Sequence, residues 1–221
     1  MGECSVRSGA KYMMTGWKFS SWTRRDLLIV LIAFAVMMVL QFPFTFFFDT
    51  TLTDIGFLYI YFWALPQAAI LYFVAFRLRV RWTSTLIVGL MGIIGAPVDY
   101  YFDWVVQQNL IAPVYALGYI PLFIIMGLSA DVSLMKLHPE KKPLRATLIS
   151  SFLFTATVLL ALAFATFVFY PTLDAPWINM GSFLIPYSLA TGTLGGYLGF
   201  TIARDVETNA RPRQKTIQNS C

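Results

Sequence analysis

Residues 97–104 read Pro-Val-Asp-Tyr-Tyr-Phe-Asp-Trp, and no other stretch of the chain comes as near to chemistry in its residue types. Asp99 and Asp103 are four apart, so on a helix they share a face and repel by roughly 0.2–0.5 kcal/mol. Tyr100, Tyr101 and Trp104 set flat rings beside the two acids. A cation or an amine-bearing ligand is attracted both to paired carboxylates and to ring faces. Gln107, Gln108, Asn109, Tyr115, Trp177 and Asn179 add polar and aromatic groups in neighbouring turns. Plain hydration of Asp99 accounts for the same residues, so a ligand rim and a wet helix end both stand as explanations. Gln67, beside Pro66 inside an apolar run, needs a hydrogen-bonding partner, which either a packing contact or a ligand would supply.

What is missing narrows the chemistry further. The single histidine, His138, lies in a basic loop, which excludes a haem held by two histidines and a His-rich copper or zinc centre. The two cysteines, Cys4 and Cys221, lie far apart in sequence, so neither a CxxC metal site nor a disulfide framework is expected. There is no P-loop for nucleotide hydrolysis. No apolar stretch carries a charge near its centre, which disfavours a proton pump or a voltage sensor. The expectation is a protein without catalytic activity and without a cofactor.

The elements that position these residues are read from hydropathy. Hydrophobic residues make up 58% of the 221 positions and charged ones 12%, with a mean hydropathy of +0.68. A soluble domain runs nearer one-quarter charged, because its surface must face water. A helix needs roughly 20 apolar residues to cross the hydrocarbon core, and six stretches approach that length: 27–48, 55–76, 83–104, 110–130, 146–170 and 179–203. The expected fold is all-α, a polytopic transmembrane helical bundle of about six spans in the cell membrane. Residues 1–26 form a basic cytoplasmic segment before the bundle of residues 27–203, and residues 204–221 form a polar cytoplasmic tail expected to be disordered.

Charge gives the orientation independently. All 16 Lys and Arg residues fall before the first stretch, after the second, after the fourth or after the sixth. The other stretch ends and gaps carry Asp49, Asp54, Asp99, Asp103 and Asp174 and no basic residue. The positive-inside rule therefore places both the N-terminus and the C-terminus in the cytoplasm. Trp17, Trp22, Trp82, Trp104, Tyr170 and Trp177 mark the stretch ends, where amphipathic rings favour the headgroup layer. The net charge of +5 is spread in short clusters between apolar runs, a pattern of membrane proteins, and no nucleic-acid partner is expected.

In the sixth stretch Ser188, Gly192 and Gly196 recur every four residues, as do Gly195, Gly199 and Ala203. Small residues at this spacing form grooves in which another helix lies close. Packing within the chain's own bundle and docking of a partner subunit both fit. Proline interrupts most stretches, at Pro43, Pro66, Pro97, Pro113, Pro121 and Pro186, and each removes a backbone donor.

Three segments resemble the substrate-binding (S) subunits of energy-coupling-factor (ECF) vitamin transporters. They are the entry Trp17-Lys-Phe-Ser-Ser-Trp-Thr-Arg-Arg-Asp26, Gly127-Leu-Ser-Ala-Asp131 before a basic loop, and the closing Gly192-Thr-Leu-Gly-Gly-Tyr-Leu-Gly199. The resemblance implies a membrane subunit of a vitamin-like small-molecule importer. Such a subunit has an outward-facing pocket, no ATPase activity of its own, and separate coupling and ATPase subunits as partners. An acidic, aromatic rim would then favour a positively charged or amine-containing substrate, such as a thiamine-related compound. The family's first span carries small residues four apart to dock the coupling subunit, whereas here Met37 follows Ala33 and Val39 follows Ala35. An accessory or scaffold subunit of a larger membrane complex is the alternative, and a self-sufficient facilitator the third.

Overall fold

Proline fixes φ and lacks an N–H that the first turn of a helix has no use for. Three helices of this chain accordingly start on one, at Pro113, Pro143 and Pro176. In the computed structural model, residues 21–51, 53–95, 97–98, 101, 113–139, 141–169 and 176–218 are described. They form α1 (Arg24–Thr51), α2 (Thr53–Leu78), α3 (Thr83–Leu90, continued by a π-helical turn, Met91–Gly95), α4 (Pro113–Lys136), α5 (Pro143–Phe169) and α6 (Pro176–Gln218). No β-strand occurs among the described residues, and the fold is all-α.

The helix starts follow from local chemistry. At α1, Thr23 and Asp26 form a capping box: the Asp26 N–H donates to Thr23 Oγ1 at 3.3 Å, and the Thr23 N–H to Asp26 Oδ2 at 3.0 Å. The turn from α2 to α3 is tight, with Arg79 (φ 55°) and Trp82 (φ 66°) both left-handed. Thr83 Oγ1 ties it down by donating to the Val80 carbonyl at 2.8 Å. The π-helical turn precedes Pro97, which has no N–H to offer the carbonyl of Ile93 four residues earlier, so the ladder shifts register there.

The helices close a ring in the order α1, α2, α6, α5, α4, α3, with α2 and α6 sharing the most extensive contact. α2 also reaches α3 and α5. Along the α2–α6 seam Gly195 meets Leu65, Gly199 meets Ala69, and Arg79 pairs with Glu207. Positions rise together, so these two helices are parallel. Along α3–α4, Ser84 meets Asp131 while Gly92 meets Phe123, and along α5–α6, Ser151 meets Gly196 while Thr155 meets Gly192. Those pairs are antiparallel. The directions gather Arg77, Arg79, Arg81, Lys136, Lys141, Lys142, Arg145 and Arg204 at one end of the bundle, together with Arg24 and Arg25 at the start of α1.

Val30, Met37, Leu71, Tyr72, Ile87, Met91, Met126, Leu134, Phe154 and Phe200 fill the core. Large aliphatic side chains also face outward. Leu160 is 71% exposed and Val39 68%, and Leu28, Ile32 and Ile202 are more than half exposed. Pro143–Ala161, 19 residues of mean hydropathy 1.7 and 39% buried, is the one described stretch long and apolar enough to cross a membrane. Ala64–Leu78 and Thr83–Gly95 are apolar but shorter.

α6 continues through residues 204–218, a helix of 43 residues in all. Extending an existing helix fixes one residue per added hydrogen bond, whereas starting one costs a whole turn, so a polar sequence prolongs what the apolar part nucleates.

Candidate functional site

The acidic and aromatic residues proposed as a ligand rim are only partly placed. Asp99, Tyr100, Asp103, Trp104 and Asn109 lie outside the described residues. Trp177 and Asn179 fall in the first turn of α6. Gln67 is half-buried on α2, between Leu65 and Ala69, whose carbonyls face α6. α3 starts at the basic end, so residues 97 and 98 lie toward the other.

A buried polar system joins the helices nearer the basic end. Its anchor is Asp131, on α4 and 5% exposed. Trp82, at the N-cap of α3, makes no side-chain capping bond, which leaves the first-turn N–H groups of α3 without a local partner. Asp131 supplies it from another helix. The Ser84 N–H donates to Oδ1 at 3.1 Å, and the Thr85 N–H and Thr85 Oγ1 both donate to Oδ2 at 2.7 Å. A carboxylate at a helix N-terminus also meets the positive end of the dipole. Burial strips this carboxylate of water, and three donors stand in for it.

Gly127 makes the approach possible. It lies one turn before Asp131 on the same face of α4, and a Cβ there would sit 2.6 Å from Thr85 Cα and 2.9 Å from the Ser84 carbonyl oxygen. Gly127 thus lets the two backbones touch, and Asp131 caps what the contact exposes. The sequence sets Gly127 and Asp131 four apart, but the spacing alone does not give this role. The usable signal was a small residue four before a lone acid, on a helix otherwise free of charge until Lys136.

A chain of hydroxyls runs beside it. Tyr72 Oη on α2 and Ser150 Oγ on α5 are 2.7 Å apart, and Ser150 Oγ and Ser133 Oγ on α4 are 2.6 Å apart. Ser150 also donates to the Ala130 carbonyl at 3.0 Å, and Ser133 has the Ser129 carbonyl within 2.6 Å. Three helices are pinned through one serine. Ser84 Oγ and Ser188 Oγ are buried without a hydrogen-bond partner among the described residues.

The two small-residue stripes of α6 face different neighbours inside the bundle. Gly192 and Gly196 lie against Thr155 and Ser151 of α5, while Gly195 and Gly199 lie against the Leu65 and Ala69 carbonyls of α2. Ser188 is buried at the head of the first stripe, and Ala203 is buried at the foot of the second. A partner helix has no access to these faces while α2 and α5 occupy them.

No group of three His, Cys, Asp or Glu side chains that could hold a metal ion occurs among the described residues. No protein-family model, no curated protein and no solved structure matches this chain.

Proposed function

We propose that this chain is a multi-pass integral membrane protein with six spans and both termini in the cytoplasm. In this role it is the substrate-binding membrane subunit of a small-molecule importer that relies on separate ATPase subunits. The observation that carries the membrane part is the gathering of every described Lys and Arg of the helix ends and turns at one end of the bundle. Below that end the flanks expose leucine, isoleucine and valine, which are costly to hydrate and costless in lipid. α2, with 26 residues, is about 39 Å long at ~1.5 Å per residue, enough for a hydrocarbon core of about 30 Å.

The binding part draws on the resemblance to vitamin-transporter S subunits and on the acid-and-ring sequence at residues 99–104. The scaffold alternative drew on the glycine stripes of α6, and those stripes are taken up by α2 and α5. Purification from its own membranes in mild detergent tests the assignment. Co-purifying ATPase and coupling subunits support it. A stable complex with unrelated membrane enzymes contradicts it in favour of a scaffold, and substrate flux into liposomes holding this protein alone contradicts it in favour of a facilitator.

A further inference from the structure

At the basic end α2 stops at Leu78 while α6 runs on, and between them lies a half-open recess of about 210 Å3. Phe76, Arg77, Arg79, Ala203 and Glu207 line it. Its back wall is apolar: Phe76 and Ala203 are each 4% exposed, and the Phe76 ring stands edge-on to Phe200 with centroids 4.9 Å apart. Its mouth is cationic. Arg79 is held by Glu207 in a partly buried ion pair, which fixes that guanidinium and balances its charge. Arg77 is exposed and makes no ion pair or hydrogen bond among the described residues, so the lining carries one uncompensated positive charge.

We propose that this recess holds the phosphate of an anionic phospholipid, with Arg77 as its charged contact. This rests on the membrane reading above. The guanidinium fork matches two phosphate oxygens at once, and Arg79 retains donors beyond the one given to Glu207. A liquid water takes about 30 Å3, so a recess of about 210 Å3 has room for a phosphodiester. The apolar side favours a lipid over a free anion. Ile202, next to Ala203 on α6 and about one turn further into the bundle than Glu207, is 51% exposed and offers an apolar surface for an acyl chain. Cytoplasmic leaflets are anionic, and a basic residue at that level adds to the attraction.

The test reconstitutes the full-length protein in bilayers of phosphatidylglycerol and phosphatidylcholine. The protein is then extracted in mild detergent, and the retained phospholipids are counted by mass spectrometry. Phosphatidylglycerol is expected to be enriched over its share of the bilayer. Arg77→Gln is expected to cut that enrichment about fivefold. Glu207→Gln, which strips Arg79 of its counter-charge, is expected to raise it by about the same factor, a gain that misfolding would not produce. Arg145→Gln, exposed at the same end but outside the recess, is expected to leave it unchanged. Equal enrichment in the native protein and Arg77→Gln overturns the proposal. So does displacement of phosphatidylglycerol by inorganic phosphate, which would assign the recess to a free anion. A protein that inserts but shows no enrichment overturns this inference alone, whereas one that stays in the aqueous fraction overturns the membrane reading with it.

Discussion

The carboxylate of Asp131 on α4 accepts both the backbone N–H and the hydroxyl of Thr85 on α3, each at 2.7 Å. One side chain thereby caps a helix 46 residues away in sequence and ties the α2–α3 turn to the fourth helix. The contact costs desolvation of a charge and gains three charge-assisted bonds, so its removal is expensive while its presence fixes geometry.

Asp131→Asn keeps the shape but turns an amide toward N–H donors. It is expected to lower the unfolding midpoint in detergent, corresponding to a loss of about 1–3 kcal/mol. An unchanged midpoint would show that the cap is idle.

Glycine substitutions on α6 and α3 separate backbone-tight contacts from ordinary ones. Gly195→Ala and Gly199→Ala drive a methyl into the α2 carbonyls of Leu65 and Ala69 and are expected to cost about 1–3 kcal/mol each. Gly89→Ala meets only Ile124 Cγ1 at an ordinary 3.7 Å and is expected to be tolerated. Thermal unfolding of the three variants side by side reads the difference; equal tolerance at all three sites would contradict the tight α2–α6 seam.

Order of effect tests the hydroxyl chain. Tyr72→Phe removes one bond and leaves Ser150 joined to Ser133 and the Ala130 carbonyl, an expected loss of about 0.5–1.5 kcal/mol. Ser150→Ala removes the junction and strands a buried Tyr72 hydroxyl, which is expected to cost more, about 1–3 kcal/mol. The reverse ranking would place the junction elsewhere.

Six helices were legible in the sequence because an apolar run of spanning length leaves few alternatives. The stretch read as 55–76 is the helix Thr53–Leu78, and that read as 146–170 is Pro143–Phe169. The glycine stripes were legible as close-packing faces, but periodicity does not say which helix fills a groove; Leu65 and Thr155 do, and they lie far away in sequence. Asp131 and Ser150 escaped for the same reason. Gly127 four before Asp131 marks a close approach, and Ser150 has no pattern at all; in both cases the role comes from a partner, Thr85 or Tyr72, that only the tertiary fold brings near. Composition does not give the continuation of α6 to Gln218, because it says nothing of the helix already running into that segment.

A positively charged or amine-containing vitamin, thiamine above all, is expected to raise the melting midpoint of the purified protein. Asp99→Asn and Asp103→Asn are each expected to weaken that shift while leaving the unliganded midpoint in place. No shift with any B vitamin would count against a binding subunit, and a shift unaffected by both variants would move the site away from these acids.

The orientation of the bundle is open to the most direct measurement, because the chain's only two cysteines, Cys4 and Cys221, flank all six helices. A membrane-impermeant thiol reagent applied to intact cells is expected to label neither, and to label both once the membrane is permeabilised. Labelling of either cysteine in intact cells would put a basic flank outside and contradict the account.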